Sequence, residues 1–528
     1  MTRNRRRILC SGLGVIAVLA VCAAMAGANA DAAGNTTLRI ATYSGVLPTN
    51  LDPMYAQGRE RADLENIYEP LVEPYHSTLQ VKGVLATSWS VSANGKTWIF
   101  ALRKGVKFQD GTPFNAQAVK LSFDLDRKTA TSDVEPLLLD VKKVAVLGPY
   151  KIEFVTDGKG FPLVDRLTGL SILSPKAMAA HGSDASWWGT HTDGTGPYQL
   201  EQWVPNDHLT LVRNDHWWGP KPYYQTVEFL SVPEAATQQL MLQKGDVDIA
   251  YSLPPNSLSQ LQADKNIKVI SIPGDRVLNI RLNIQHPPFN NVLVRKALAY
   301  AFDYDAVAKA LGTQVSPTEG PVPRQYLGGW LPPDIPRHQN LAKAKSLLSQ
   351  AGVSPSSISI NADFVAGDAK QQIAAEIFQS SLQQLGVKVN LQFVDFDQTY
   401  SALQRYEADP KANASAAASI DEFTLVRGPF VPDPYAYFSS YDLKQPYNYF
   451  DYSNAAADSL FQQGYSAKSE RARLAYFEKG VEKIIAQQPD IWAYVEKKVV
   501  AMRSNITGYY VSPNWFPETH VWTIRATG

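Results

Sequence analysis

The run Gln371 to Phe393 reads QQIAAEIFQSSLQQLGVKVNLQF, and its punctuation decides the fold class. Ile373, Ile377, Phe378 and Leu382 recur at helical spacing, so Gln371 to Leu385 is expected to be an amphipathic helix. Gly386 suits the left-handed residue that ends such a helix. Beyond it Val387, Val389, Leu391 and Phe393 alternate, which is the period of a half-buried strand. Helix, glycine, strand is the grammar of a sheet covered by helices.

The same grammar extends in both directions. Upstream, Arg281 to Ile284 is expected as a strand, and Val292 to Leu311 as one long helix with Val294, Leu298, Ala301 and Phe302 on its apolar stripe. Val227 to Val232 and Asp246 to Ala250 flank a helix over Glu234 to Lys244, with Pro233 at its start, giving a β-α-β unit. Nearer the N-terminus Leu38 to Tyr43 is a short strand opening into the loop Ser44 to Asn50. Trp98, Phe100 and Leu102 alternate, as do Tyr150, Ile152 and Phe154, with an Asn94-Gly95 turn signal and a helix over Ala116 to Arg127 capped by Asn115. Gly194-Thr195-Gly196-Pro197-Tyr198 marks a crossing point between domains. It is no dinucleotide loop, because the sixth position is Gln199 and no helix follows. Ala412 to Ala418 is a small low-complexity patch expected in an exposed loop.

The first thirty residues read as a secretory signal. Arg3, Arg5, Arg6 and Arg7 precede an apolar run from Ile8 to Ala26, and Ala28-Asn29-Ala30 offers a cleavage site after Ala30. An uncleaved membrane anchor is the competing reading, which the small residues and the cleavage motif disfavour. Both cysteines of the chain, Cys10 and Cys22, lie in this segment, so the mature chain is left without disulfide or thiolate. Lipid attachment at Cys22 is disfavoured by Val21 before it. Removing thirty residues from 528 leaves 498, room for about three domain-sized units. Removing the four signal arginines from 50 Lys+Arg leaves 46 against 50 Asp+Glu, a formal −4. That balance gives no reason to expect nucleic acid or an anionic membrane surface as a partner.

Catalytic patterns are missing from the sequence. Asn94-Gly95-Lys96-Thr97 contains G-K-T, but a phosphate loop needs a further glycine where Ser90 stands. The eight histidines form no H-E-x-x-H and no pair four residues apart, and no G-x-S-x-G turn occurs in the mature chain. No catalytic residue, metal site or cofactor is therefore expected. The segment Arg427 to Tyr452, RGPFVPDPYAYFSSYDLKQPYNYFDY, is rich in rings and punctuated by Asp433, Asp442 and Asp451. It reads either as part of a concave small-molecule site or as an irregular core segment whose rings fill space.

Several motifs together carry a resemblance. Gly83 to Trp89 (GVLATSW), Asn94 to Phe100 (NGKTWIF), Leu102 to Phe108 (LRKGVKF) and Asp110 to Phe114 (DGTPF) are similar to the signature of family 5 solute-binding proteins of ABC transporters. So are Gly194 to Tyr198, Arg213-Asn214 with Trp217-Trp218-Gly219, Val232 to Glu234, Gly245 to Asp248, Pro288-Phe289, Val294 to Leu298 and Phe302-Asp303. They span the mature chain in the expected order. The family includes dipeptide-, oligopeptide- and nickel-binding proteins.

The resemblance implies a two-lobed α/β receptor of the periplasmic-binding-protein kind (type II, cluster C style) with an extra inserted domain. Lobe one is expected from residues 31–72, 195–273 and 500–528, the inserted domain from 73–194, and lobe two from 274–499. It implies a periplasmic monomer that captures a peptide or other small solute and delivers it to an inner-membrane ABC permease, with no enzymatic activity. The ligand would sit against Tyr43, Ser44 and Gly45 on one wall, and against Asp421, Arg427, Phe430, Asp433 and Tyr435 on the other. In peptide-binding relatives the corresponding stretch reads roughly W-x-x-D-x-x-D-P, the first Asp anchoring the peptide amine. Here Asp433-Pro434 matches the closing pair, while Phe430 stands at the anchoring acid and Arg427 at the tryptophan. The ligand is then either a peptide held by another acid such as Asp421, or a non-peptide solute such as a sugar or an anion paired with Arg427.

Overall fold

A computed structural model describes residues 37–42, 47–54, 59–75, 79–128, 138–158, 162–251, 253–366, 368–394, 422–427, 432–441, 448, 450, 452–467, 469–510 and 520–527, without the side chains of 59–61, 422–427, 435 and 436. The first strand, β1 (Thr37–Thr42), is followed by the hairpin β2 (Val72–Pro74) and β3 (Val81–Gly83). A four-stranded antiparallel sheet comes next, built from β4 (Ala86–Val91), β5 (Thr97–Leu102), β6 (Val141–Gly148) and β7 (Lys151–Thr156) in the order β4-β5-β7-β6. The helix Ala116–Asp126 packs on it, and Asn115 caps that helix by accepting from the Gln117 and Ala118 amides. Phe100, Phe123, Ile152 and Phe154 belong to the core of this unit.

The large sheet takes in β1, β8 (Tyr198–Val204), β9 (His208–Arg213), β10 (Thr226–Ser231), β11 (Ile249–Tyr251), β12 (Ile267–Leu282), β13 (Val315–Pro317), β14 (Ser359–Val365), β15 (Lys388–Val394), β16 (Glu422–Arg427) and β17 (Asp490–Arg503). Its order is β15-β14-β16-β12-β17-β11-β1-β10-β9-β8, with β13 attached to β17. A small ribbon of β18 (Ile506–Thr507) and β19 (Arg525–Ala526) completes the strands. The strands flanking the helix Ala235–Lys244 both pair in parallel with β1, so the expected β-α-β unit is present with β1 between its two arms.

Two strands hold this sheet together. Pairing of β12 with β17 runs antiparallel from Ile267↔Arg503 to Arg281↔Asp490. At one end their side chains enter the cores of the β1 half: Val500 and Met502 join Leu38, Tyr198 and Phe229, while Ile267 and Ala501 join Ala41 and Leu242. At the other end Leu278, Ile280, Leu282 and Ile491 join the core built on Phe302, Phe364 and Phe378. Val277, Trp492 and Val495 face a further core with Tyr437, Phe438 and Phe477. One ribbon is thereby buried in two separate sets of cores, as a two-lobed molecule requires.

Two expectations need correction. Arg281 to Ile284 overlaps only the end of a strand that runs from Ile267 to Leu282, and the polar Gly274-Asp275-Arg276 in its middle hid the rest. The long helix over Val292 to Leu311 is two helices, Val292–Ala301 and Tyr304–Leu311. Asp303 breaks the run because its carboxylate caps the second helix by accepting from the Ala306 amide. By contrast the helix Ala369–Leu385 ends as expected at Gly386, whose φ of 95° is open to glycine at little cost. The patch Ala412 to Ala418 lies outside the described residues.

Midway along the ribbon the register shifts between Ile272↔Lys498 and Arg276↔Glu496. Gly274 sits in this bulge, where a Cβ would fall 1.4 Å from the Glu496 carbonyl oxygen. Only a residue without a side chain permits that approach. Gly274→Ala is expected to lower unfolding free energy by more than about 3 kcal/mol, read by urea denaturation; a loss below about 1 kcal/mol would show that the ribbon yields there.

A second constraint lies where the β4–β7 unit meets the β1 half, at Trp218, which packs on the core of that unit. Glu69 is 5% exposed, and its carboxylate accepts from the Trp217 and Trp218 indoles and the Thr195 hydroxyl at 2.7–3.1 Å. Burial outweighs these donors and pushes its pKa up to about 7. Because the folded state then binds this proton more tightly than the unfolded chain, stability falls as pH rises from about 4.5 to about 7, by up to roughly 3 kcal/mol. Glu69→Gln keeps the shape and leaves one amide oxygen to accept from both indoles but has no proton to lose; it is expected to remove that part of the pH slope, followed by urea denaturation from pH 5 to pH 8.

Candidate ligand cleft

The register fixes where the two halves of the sheet look at each other. Along β11 the pairing advances from Ile249↔Met502 to Tyr251↔Val500, toward the bulge. Since β1 and β10 run parallel to β11 and to each other, the carboxyl ends of all three point at the bulge. From the opposite side β16 ends with Arg427↔Val277, one residue beyond Arg276. Its parallel neighbour β14, and β15 beside it, end in the same direction. Open α/β sheets bind ligands outside the carboxyl ends of their strands. Here two such sets converge on one crossing, and that crossing is the candidate cleft.

The crossing is charged. Arg276 lies 3.3 Å from the Glu496 carboxylate and Lys370 3.0 Å from its other oxygen. Asp275 and Lys498 pair at 3.1 Å beside them. Glu496 and Asp275 are almost fully buried, whereas the side chains of Arg276 and Lys370 keep about a third of their exposure (33% and 31%). Burial disfavours the Glu496 carboxylate, yet Lys370 and Arg276 outweigh it and hold its pKa below the usual carboxylate range. The same pairing raises Lys370 despite burial. Lys370 stands in the first turn of the helix Ala369–Leu385, whose amides Asp368 caps. Since Asp368 already takes the amides there, it is the two partly exposed cations that favour a negative ligand group.

The sequence-nominated residues distribute unevenly. Tyr43, Ser44, Gly45, Asp421 and Phe430 lie outside the described residues. In sequence, β1 ends one residue before Tyr43 and β16 three residues before Phe430. Arg427 is placed through its backbone at the end of β16, and Tyr435 opens the short helix Tyr435–Ser439. Asp433 is fully buried; it accepts from the Tyr465 hydroxyl at 3.0 Å and pairs with Arg473. Tyr437, Phe438, Tyr441 and Tyr452 are core residues packed with Phe461, Phe477 and Trp492. For these rings the space-filling reading is the right one. Arg276, Lys370 and Glu496 were not singled out from sequence. For Arg276 and Glu496 the one visible signal was polar residues inside long apolar runs, Gly274-Asp275-Arg276 and Glu496-Lys497-Lys498.

Among the described residues no group of three or more His, Cys, Asp and Glu could hold a metal ion, and no helix is long and apolar enough to cross a membrane.

Comparison with known proteins gives the class. Residues 80–473 match the family model of bacterial extracellular solute-binding proteins, family 5. Relatives include the probable D,D-dipeptide-binding periplasmic protein DdpA of Escherichia coli strain K12, 27% identical over 450 residues, covering 82% of this chain and 83% of that protein. Another is the glutathione-binding protein GsiB of Shigella flexneri serotype 5b, 27% identical over 477 residues, covering 88% and 90%. In fold the chain is similar to the substrate-binding protein CtaP of Listeria monocytogenes (TM-score 0.81, 20% identity, 94% and 100% covered) and to DppA of Helicobacter pylori solved with the peptide STSA (0.77, 23%, 93% and 98%). The chain belongs to family 5 of the bacterial extracellular solute-binding proteins. It is a two-lobed α/β solute receptor of an ABC importer and not an enzyme.

The Asp433–Arg473 pair is testable apart from ligand. Arg473→Met strands a carboxylate that is fully buried, and is expected to cost about 3 kcal/mol or more in urea denaturation. The double variant Asp433→Asn, Arg473→Met should recover part of the loss; no recovery would mean that Asp433 is not held by this arginine.

Proposed function

We propose that the receptor captures a peptide or peptide-like solute with a free carboxylate at the crossing of β12 and β17, and passes it to an inner-membrane ABC permease. The observation that carries this reading is the pair of partly exposed cations, Arg276 and Lys370, at the start of the helix Ala369–Leu385 and on the line where strand carboxyl ends meet. The peptide-like names of the relatives DdpA and GsiB support it. Tyr43, Ser44 and Gly45 after β1, and Asp421, Arg427, Phe430, Asp433 and Tyr435 around the end of β16, are the residues proposed to frame the ligand. Of these Asp433 acts by holding the wall in place through Arg473.

The division proposed for the chain is lobe one at 31–72, 195–273 and 500–528, the inserted domain at 73–194 and lobe two at 274–499. Export with cleavage after Ala30 and action as a periplasmic monomer complete the reading. Closure needs no covalent step: a ligand touching both lobes only when they are shut shifts the population toward the shut state. A second reading has an observation of its own. Phe430 stands where the peptide-binding pattern has its amine-anchoring acid, which favours a non-peptide carboxylate over a peptide.

Both readings share the carboxylate, so the decisive experiment varies it. Solutes that co-purify are identified by mass spectrometry, then the free acid and its amide are compared by calorimetry. The acid is expected to bind at least about tenfold more tightly, and Lys370→Met should remove most of that difference. Equal binding of acid and amide would overturn the assignment. Loss of affinity on acetylating the amine separates a peptide from a non-peptide solute.

A further inference from the structure

A cavity of about 330 Å³ lies apart from the crossing. Among the described residues its lining includes the rings of Trp217, Trp218 and Trp522, the pair Glu73 and Lys82, and Arg525. None of β12, β16 and β17 contributes to that lining. A guest held here would share none of these residues with a solute at the crossing.

The rings are held from behind and their polar atoms are used up. Both Trp217 and Trp218 donate their indole N–H to the buried Glu69 carboxylate, which fixes the two rings at 5.5 Å and 55° to each other. With that N–H taken, each presents only carbon to the cavity. Trp522 meets Trp217 edge-on at 6.2 Å and 65°. His520 backs Trp522 by stacking on it at 4.3 Å, and Gly219 lies so close to Trp217 that a Cβ would fall 2.5 Å from its ring. The Arg103 guanidinium already covers Trp218 from 3.9 Å, so stacking a guest falls to Trp217 and Trp522.

The charges round the cavity balance. Glu73 pairs with Lys82 at 2.9 Å, Glu65 lies 3.7 Å from the His520 Nε2, Glu69 is satisfied by its three donors, and Arg525 is exposed. No excess of either sign compensates an ionic guest for the water it would lose. An apolar guest fares no better, because it would strip water from these groups and return no hydrogen bond. Both surfaces suit a neutral molecule with a carbon face and a rim of hydroxyls, each of which donates and accepts. A pyranose ring is built in that way. Lys82 and Arg525 supply donors for it, and the Thr523 hydroxyl, which gives its own proton to the His520 carbonyl at 2.8 Å, keeps lone pairs to accept.

We propose that this cavity is a second binding site, taking one neutral pyranose ring stacked on Trp217 and Trp522 and hydrogen-bonded by Lys82 and Arg525, independently of the solute held at the crossing. Its volume is at the small end of ligand pockets, which suits a single ring rather than a chain of sugars. Lys82 belongs to the β2–β3 hairpin and Arg525 to β19, so an occupant would link segments far apart in the sequence.

The test titrates methyl β-D-glucopyranoside and methyl β-D-galactopyranoside into the full mature chain by calorimetry, with and without the co-purifying solute. Glucosamine and glucuronate serve as the cationic and anionic counterparts. At least one neutral glycoside is expected to bind saturably, equally well in the presence of the solute, and about fivefold or more tightly than either charged ring. Arg525→Met and Trp522→Leu are each expected to weaken that binding by about fivefold or more while leaving the affinity for the co-purifying solute unchanged. Arg525 is exposed, so its variant decides the matter even if the tryptophan variant fails to fold. No saturable binding of either glycoside up to about 20 mM, a charged ring bound as tightly, displacement by the solute, or binding that survives Arg525→Met would each overturn the proposal. Equal binding of acid and amide at the crossing would strike that reading and leave this one standing.

Discussion

The antiparallel pairing of β12 with β17 is the constraint on which the rest of the molecule hangs. Every other strand of the large sheet lies to one side of this ribbon or the other. Each end of the ribbon is buried in its own cores, so neither half can detach without opening a long ladder of backbone bonds. The middle is different in kind. There the register slips, the side chains become charged, and Gly274 lets the backbones nearly touch. A bulge weakens pairing and increases twist locally. A continuous ribbon interrupted once, between two cores, concentrates bending at that point.

The same interruption explains why the charges gather where they do. Apolar residues on both faces of a strand are the rule inside a covered sheet. Between the cores Asp275, Arg276, Glu496 and Lys498 stand together, each satisfied by an opposite charge instead of apolar neighbours. Buried ions remain costly, so the acids are paired, and Arg276 and Lys370 keep access to water. A ligand carboxylate arriving at Arg276 and Lys370 therefore meets charges whose desolvation is already partly met within the protein. That is preorganisation, which gives affinity by lowering the cost of binding rather than by adding contacts.

Much of this was legible in the sequence where local chemistry decides. Asn115, Gly95 and Gly386 act as read because caps and left-handed turns depend on a few neighbouring residues. The family motifs placed the chain correctly because they report such local needs in a fixed order. What escaped was set by distant partners. The charged middle of β12 resembles a loop until β17 supplies its ladder. Asp303 looks like one more turn of helix until its carboxylate is seen to cap the next one. The rings of Arg427 to Tyr452 could fill a core or line a cleft; the decision rests with Phe461, Phe477 and Trp492, which pack against Tyr437, Phe438 and Tyr441.

The β4–β7 unit shows how strongly the two halves should grip each other. It is fastened to the β1 half by Trp218, which Glu69 holds and which packs on the unit's core, and by the Gln109 side chain, which donates to the Tyr198 carbonyl; at the junction Gly194 and Gly196 pass so close to the Ile67 carbonyl that a Cβ on either would collide with it. Toward the other half it offers Leu79, packed on the core of Tyr326 and Tyr437, and Asp165. Asp165 comes up against Asp433 and Arg473, which already satisfy each other; burial and the Asp433 charge raise its pKa well above the ordinary value, and Arg473 and Arg166 only oppose this. A carboxylate that meets a neutralised pair gains little from the contact. An unpaired Arg473 would attract Asp165 more strongly, and any contact that favours the shut state of an empty receptor reduces the differential affinity that drives capture. Pairing Asp433 with Arg473 inside one half leaves the balance to the solute.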